Sequence, residues 1–438
     1  MESTHLNITV IQENTFICGN LEIGAMSSTC DINTFLHYAY DPSSERSMPA
    51  PIPTVLNNLN SRRNQKKNLV NEGINSFRNG IRNKLENTTS NTHVVPLSGG
   101  LDSRAILAVL VDEVGLQNVE TITYGTKNSF DRRIGTRVSN KVGVSNHVIN
   151  LHPEETNWNI DKLLEIAKKS GQAIPILDSI VHEKIAEVIP DDATVWSGFM
   201  GGELSGSHLP SDTFSEWEGA CAEFARSQAF SPELTASNYD PTDPLPDSPI
   251  ISADKINYFE QLDFVIRQQA LIKNSILQYE DVVTPFLAQP WLQYILNVPD
   301  HCRNDRLLFK NIFTKYYPEI FSLPTTANFN RPLYWPELVA KGYTGFEIIK
   351  AKLSRSVGIY EPDPLISQFP FGHAFRQDWE ITKVAYELLQ SVQEREVIPG
   401  KDPISIWNEH QRGSDNTDLL KSLIQVEINI RAGNVIKY

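Results

Sequence analysis

Cysteine is scarce in this sequence. Only Cys18, Cys30, Cys221 and Cys302 occur in 438 residues, and no two form a C-x-x-C pair. That excludes a zinc ribbon and a dithiol redox motif, and so few thiols in so long a chain predict buried, idle cysteines rather than a disulfide framework. Positive charge is short as well: 39 lysines and arginines stand against 53 aspartates and glutamates, a formal net charge of −14. A sequence-independent grip on nucleic acid needs a basic face, so nucleic acid is not an expected partner, although a local basic pocket for a nucleotide is compatible with this balance. No run approaches the ~20 apolar residues that span a bilayer. Met1 to Glu13 mixes charged, polar and apolar residues without the clean apolar stretch of a signal peptide. The expected location is the cytoplasm, with no membrane partner. Repeats and low-complexity tracts are also absent.

What is present is ordinary for a folded protein: hydrophobic residues make up 40% and charged residues 21%. Residues 1–65 are weakly patterned. Ile8–Ile11 and Thr15–Cys18 suggest a small hairpin, and the Pro- and Ser-rich stretch Asp41–Pro53 reads as loop. From Lys66 the pattern turns helical: Val70, Ile74, Phe77, Ile81 and Leu85 recur at spacings of three and four. Gly73 and Gly80 weaken that helix by about 1 kcal/mol each relative to Ala, so packing must hold it. Strands at His93–Leu97, Val119–Tyr124, Asn146–Leu151 and Ala193–Ser197 then alternate with helical stretches at Ser103–Val111, Asp131–Val142, Ile160–Ser170 and Asp178–Ile189. This alternation predicts an α/β fold, a parallel sheet with helices on both faces. Beyond Gly206 the chain reads as mostly helical, with a proline-rich loop at Phe230–Pro249. Helices are expected at Ser211–Ser227, from Ser252 to about Glu280, and near Asp305–Lys315, Thr344–Ser354, Trp379–Glu394 and Thr417–Ala432. The expected organisation is a short N-terminal segment over 1–65, an α/β core over 66–210 and a helical part over 211–438.

The sharpest signal is Ser98-Gly99-Gly100-Leu101-Asp102-Ser103, between a predicted strand and a predicted helix. Two glycines allow a tight turn and a close approach of backbone to ligand. Amides at the start of the following helix point at the same spot, and the helix dipole adds positive potential. Ser98 and Ser103 add hydroxyls, so the segment is a cradle for pyrophosphate. It is not a Walker loop, because no Gly-Lys-Ser/Thr follows at the required spacing. Asp102 would repel phosphate unless a cation lay between them, and Mg²⁺ is the natural candidate. A second glycine-rich turn, after Ser197, lies at another strand's carboxyl end, where parallel sheets bind ligands.

The S-G-G-L-D-S turn resembles the loop of the N-type ATP pyrophosphatases, the PP-loop superfamily. Within it the chain resembles the synthetase domain of asparagine synthetase and its relatives, such as the β-lactam-forming synthetases, over roughly residues 30–435. Ile122-Thr123-Tyr124-Gly125 followed by Asp131 is similar to the family's second strand, whose loop helps hold adenosine. Ser197 to Leu204 falls where the family has a Gly-Asp-Glu-Leu turn. Thr284-Pro285-Phe286-Leu287 resembles its Pro-Phe-Leu-Asp. Val298-Pro299, the helix holding Lys310, and Trp407 to Gly413 resemble later regions. The resemblance implies an adenine nucleotide α-hydrolase-like fold and a reaction. ATP adenylates a carboxylate, aspartate by resemblance, pyrophosphate leaves, and ammonia or an amine displaces AMP to form an amide. It also implies that Ser98, Gly99, Gly100, Leu101, Asp102, Ser103, Tyr124, Gly125 and Gly198 bind ATP and its pyrophosphate, with Asp102 catalytic and a Mg²⁺ ligand.

The sequence departs from the family's pattern in three places. Glutamine-using members carry an N-terminal glutaminase domain with a nucleophilic Cys after the initiator Met; here residue 2 is Glu2, and fewer than a hundred residues precede the loop. The expected nitrogen source is therefore free ammonia, a substrate amine, or ammonia from a separate amidotransferase. Gly202 stands where the family places the aspartate that is its second Mg²⁺ ligand, so Glu203 is the candidate ligand, directly or through water; a helix-start acid is the alternative reading. Ala288 takes the aspartate position of Pro-Phe-Leu-Asp. The catalytic cation near the α-phosphate is sought among Lys310, Arg331 and Lys341. Glu280 is read either as an acid near the acceptor or as an exposed helix end, and His208 and His410 as structural. Two alternatives stay open: a catalytically impaired relative that binds nucleotide or a partner, and another PP-loop enzyme such as a tRNA thiolase, which the scattered cysteines and the −14 charge disfavour.

Overall fold

The computed structural model describes residues 29–43, 48–49, 51–58, 68–210, 214, 216–272, 281–356, 369–398 and 400–436. The hairpin expected at Ile8–Cys18, and Glu280, lie outside these residues.

Seven strands are described: β1 (Cys30–Asp31), β2 (His93–Pro96), β3 (Val119–Gly125), β4 (Ser145–Asn150), β5 (Thr194–Trp196), β6 (Val282–Val283) and β7 (Val435–Ile436). β2 to β6 form one parallel sheet in the order β4-β3-β2-β5-β6. The α/β architecture expected from the alternation is thus present, and the sheet gains its fifth strand from beyond residue 210. β1 and β7 pair in parallel, which ties the chain near residue 30 to the end of the C-terminal helix.

Successive strand residues point to opposite faces, and β2 shows the consequence. Val95 belongs to a core with Phe77, Leu107 and Phe286, whereas Val94 belongs to a second core with Ile122, Leu163 and Leu388. Both valines are fully buried, so helices cover both faces of the sheet. The helix Leu69–Leu85 buries Ile74, Phe77 and Ile81 as its periodicity predicts. Its two glycines mark close approach rather than weakness. A Cβ on Gly73 would fall 2.3 Å from Ile312 Cδ1, and one on Gly80 would fall 3.1 Å from Ala288 Cβ.

Some expectations are corrected. Pro51 to Pro53, the end of the stretch expected to be loop, instead open a helix, Pro51–Asn58, because prolines in a first turn lack an N–H that would find no partner there anyway; Ile52, Val55 and Leu56 then face the core. The helix expected from Ser252 starts at Tyr258, capped by Asn257, and passes after Leu262 into a π-helix, Asp263–Ile272. Of the helix expected at Ser211–Ser227, the described residues show Trp217–Ser227, residues 211–213 and 215 lying outside them, and the helix expected near Thr344 begins at Glu337. Cys30 and Cys221 are buried and Cys302 half-buried, all three unpaired, as the composition predicted. No described helix is long and apolar enough to cross a membrane.

Candidate functional site

The sheet order places the site. β3 and β4 lie on one side of β2, β5 and β6 on the other. Chain leaving β2 and chain leaving β5 therefore run in opposite directions, and a crevice opens between their carboxyl ends. An open cleft of about 390 Å³ occupies that place. Its walls are Ser197 to Met200, Gly202 and Glu203 from the second glycine-rich turn, Asp102 alone from the first, whose Ser98 to Leu101 and Ser103 lie outside the lining, and Arg306 and Gln268 from farther along the chain.

The first turn is preorganised by its own contacts. Ser98 Oγ accepts from the Gly100 amide at 3.2 Å and lies 3.3 Å from Ser103 Oγ. The Gly99 amide donates to Asp131 Oδ1 at 2.8 Å, and the Gly99 carbonyl accepts from Thr326 N–H (3.0 Å) and Thr325 Oγ1 (2.9 Å). A side chain at residue 99 has no room, since its Cβ would lie 2.7 Å from Thr326 Cγ2. Arg104, fully buried, donates to the carbonyls of Ile320, Leu323 and Pro324 and so holds that segment against the turn; burial lowers its pKa to about 10. The helix that follows, Asp102–Val114, has no side-chain cap on its first turn. A 13-residue helix whose first amides lack a side-chain acceptor presents its dipole and its donors to an anion.

Asp102 starts that helix, and both of its oxygens are taken. Arg306 donates Nη1–H to Asp102 Oδ2 at 3.1 Å and Nη2–H to Oδ1, a bidentate pair. The same guanidinium donates Nε–H to Ser205 Oγ at 2.9 Å and lies over the Phe309 ring, 4.4 Å from its centroid. Across from it, a Cβ on Gly202 would be 3.8 Å from Asp102 Oδ2. Residue 202 thus faces Asp102, as a second carboxylate would have to, and contributes no side chain.

Glu203 lines the cleft but turns to other partners. Its Oε1 lies 3.9 Å from His208 Nδ1, which is 3.3 Å from Asp263 Oδ2. Gln268, one π-helical turn beyond Asp263, donates Nε2–H to both oxygens of Asp263 at 3.4 Å. Burial, then the charge of Asp263, raises the Glu203 carboxyl above its ordinary value. The hydrogen bond to Asp263 raises His208, and burial opposes it. His208 is therefore bound into a cluster with two carboxylates, the ligand atoms of all three lying within 4.8 Å of one another.

The residues present do not fit a Mg²⁺ ion shared by Asp102 and Glu203. One carboxylate is filled by a guanidinium, the other belongs to a separate cluster, and the position between them is glycine. Mg²⁺ demands near-ideal octahedral oxygens, and this arrangement does not supply them.

The other sequence candidates sit as follows. Tyr124 and Gly125 end β3, beside the first turn, and lie outside the cleft lining; burial, then Asp131, pushes the Tyr124 hydroxyl up to about 12. Leu101 is buried under the turn, and Gly198 lies in the cleft wall, where its Cβ would come within 3.2 Å of Asp102 Cβ. Lys310 pairs with Asp305 at 2.7 Å, Arg331 with Glu347 at 2.8 Å, and Lys341 with Glu337 at 2.5 Å; the cleft lining includes none of them. His410 is buried on the Gly372 carbonyl, a structural contact. Ala288 is core, packed on Gly80, so an aspartate there would bury a charge against a helix. The residue that sequence reasoning missed is Arg306. Asp305 and Arg306 both have left-handed backbone (φ 48° and 58°), which no pattern in Cys302-Arg303-Asn304-Asp305-Arg306 announces.

A search of curated proteins returns no match. Residues 89–188, which carry β2, the first turn, β3 and β4, match the model of the asparagine synthase family.

Proposed function

We propose that the protein uses ATP to adenylate a carboxylate and then forms an amide. The family match supports an ATP-dependent amide-forming ligase in general. The observation that carries the finer reading is the first turn, an uncapped helix start behind two glycines at the sheet's switch point. In the reaction a carboxylate oxygen bonds to the α-phosphorus of ATP, and the bond from that phosphorus to the bridging oxygen breaks. Pyrophosphate departs with the electron pair. The amides of the helix start, with the Ser98 and Ser103 hydroxyls, hold that leaving anion. Tyr124, Gly125 and Gly198 are taken to contact the rest of the nucleotide. Ammonia or an amine next attacks the acyl carbon, loses a proton, and AMP leaves. Aspartate is the acyl substrate that the resemblance implies; the nitrogen is free ammonia, an amine, or ammonia delivered by a separate amidotransferase.

The test is pyrophosphate release from ATP across a panel of amino acids and sugar acids. Release with at least one carboxylate is expected, and Asp102→Asn, which breaks the bidentate pair with Arg306, should cut it by about 10²–10³, read on variant protein shown to be folded. No release with any carboxylate, together with no nucleotide binding by the folded protein, overturns the reading. Gly202 favours one second reading, a nucleotide-binding relative that has lost turnover. Binding of ATP without release for any carboxylate would select it.

A further inference from the structure

We propose that Arg306 is the built-in cation of this cleft. It replaces a divalent ion opposite Asp102 and receives the pyrophosphate part of the bound nucleotide. This rests on the nucleotide reading above.

The first argument is charge. A carboxylate facing an incoming triphosphate is repulsive unless neutralised. Here Asp102 and Arg306 sum to zero, so the anion meets a neutral pair and not a bare acid. The second is geometry. Three of the five guanidinium N–H groups are spent on Asp102 and Ser205, which leaves two for the cleft that Arg306 lines. A planar fork held on one edge by a carboxylate and on one face by Phe309 is rigid before the ligand arrives, and guanidinium–phosphate hydrogen bonds are among the strong ones. The third is the contrast with Arg303. That side chain is completely buried and is engaged by Glu260, Asp300 and the Leu204 carbonyl. It is a structural arginine, whereas Arg306, three residues on, reaches the cleft. The fourth is backbone cost. Two consecutive non-glycine residues, Asp305 and Arg306, sit in the unfavourable left-handed region, and such strain gathers where a side chain must be aimed. Finally, Gly202 removes the acid that a two-carboxylate ion site would need, and an aspartate there would reach the space beside Asp102 Oδ2.

The experiment is calorimetric titration of the full chain with inorganic pyrophosphate and with ATP, each in EDTA and in Mg²⁺. The expected result is pyrophosphate binding in EDTA within about threefold of that in Mg²⁺. Arg306→Gln should weaken it at least ~10-fold in EDTA, about 1.4 kcal/mol at 25 °C, with Arg306→Lys only partly restoring it because lysine lacks the fork. The double variant Arg306→Gln, Gly202→Asp should regain binding in Mg²⁺ alone. Binding by the unmodified protein that requires Mg²⁺ overturns the proposal and leaves the nucleotide reading standing. Failure of both ligands to bind in either buffer overturns both. The unmodified protein decides the main point even if a variant fails to fold.

Discussion

The turn after β2 and the turn after β5 face each other across one cleft, yet they work by different means. Behind the first stands a helix of 13 residues, so the turn can offer backbone amides and a dipole; behind the second stands a helix of four, Gly201–Leu204, too short to add much field. The second turn contributes side chains and shape instead. Glu203 goes to the His208–Asp263 cluster, Ser205 to Arg306, and Gly202 leaves open the space opposite Asp102. The lesson is a division of labour. The first turn is shaped by six contiguous residues, whereas the balance of charge around Asp102 is assembled from residues far apart in sequence.

The contrast can be tested first at the second turn. Arg303→Ala removes the partner of buried Glu260 and the donor to Leu204, and should destabilise the protein by about 3–5 kcal/mol in urea unfolding. Arg306→Ala should cost far less stability. If the two losses were equal, Arg306 too would be structural. A smaller effect is expected in the first turn. Gly99→Ala forces a Cβ to within 2.7 Å of Thr326 Cγ2, where overpacking costs about 1–3 kcal/mol. Gly202→Ala is crowded by the Ser207 hydroxyl, at 3.0 Å, which can rotate away, and otherwise meets Ser207 Cβ and Asp102 Oδ2 at ordinary contact distances of 3.7 and 3.8 Å. Thermal unfolding of both variants should rank Gly99→Ala clearly below Gly202→Ala, and the reverse ranking would break the steric half of the comparison.

The smallest effect is a pH dependence. His208 has a raised pKa, through its hydrogen bond to Asp263 and then the charges of Asp263 and Glu203, against burial and Arg267. Folding therefore favours its protonated form. That stabilisation is complete below the unfolded imidazole value of ~6.5 and fades as pH rises through the higher folded value. The unmodified protein should exceed His208→Gln in unfolding free energy most below about pH 6.5, by about 1 kcal/mol or less because the imidazole is more than a third exposed and solvent screens it, and the gap should close as pH rises above that. A gap that widens with pH contradicts the assignment.

Much of this was legible in the chain. The strands β2 to β5 appear within one or two residues of their expected bounds, and the helices Ile160–Ser170 and Thr417–Ala432 at those expected. Each rests on local periodicity and local turn chemistry, which sequence carries directly. The helix at Pro51–Asn58 was hidden because its prolines read as loop signals unless the helix start is known. The π-helical stretch Asp263–Ile272 was hidden because its mixed apolar and polar residues carry no feature that separates i+4 from i+5 bonding. Lys310 and Arg331 were chosen by resemblance, and each proves to be paired with a carboxylate outside the cleft.

By itself the sequence determined that a strand would end in a glycine turn, that a helix would start there with a serine on either side, and that an anion would be welcome at that spot. The reason is that all three follow from six neighbouring residues. Only the tertiary structure decided which cation meets Asp102, because Arg306 lies 204 residues away and is aimed by two left-handed residues. Asp102, Gly202 and Arg306 meet only when β2 and β5 lie side by side.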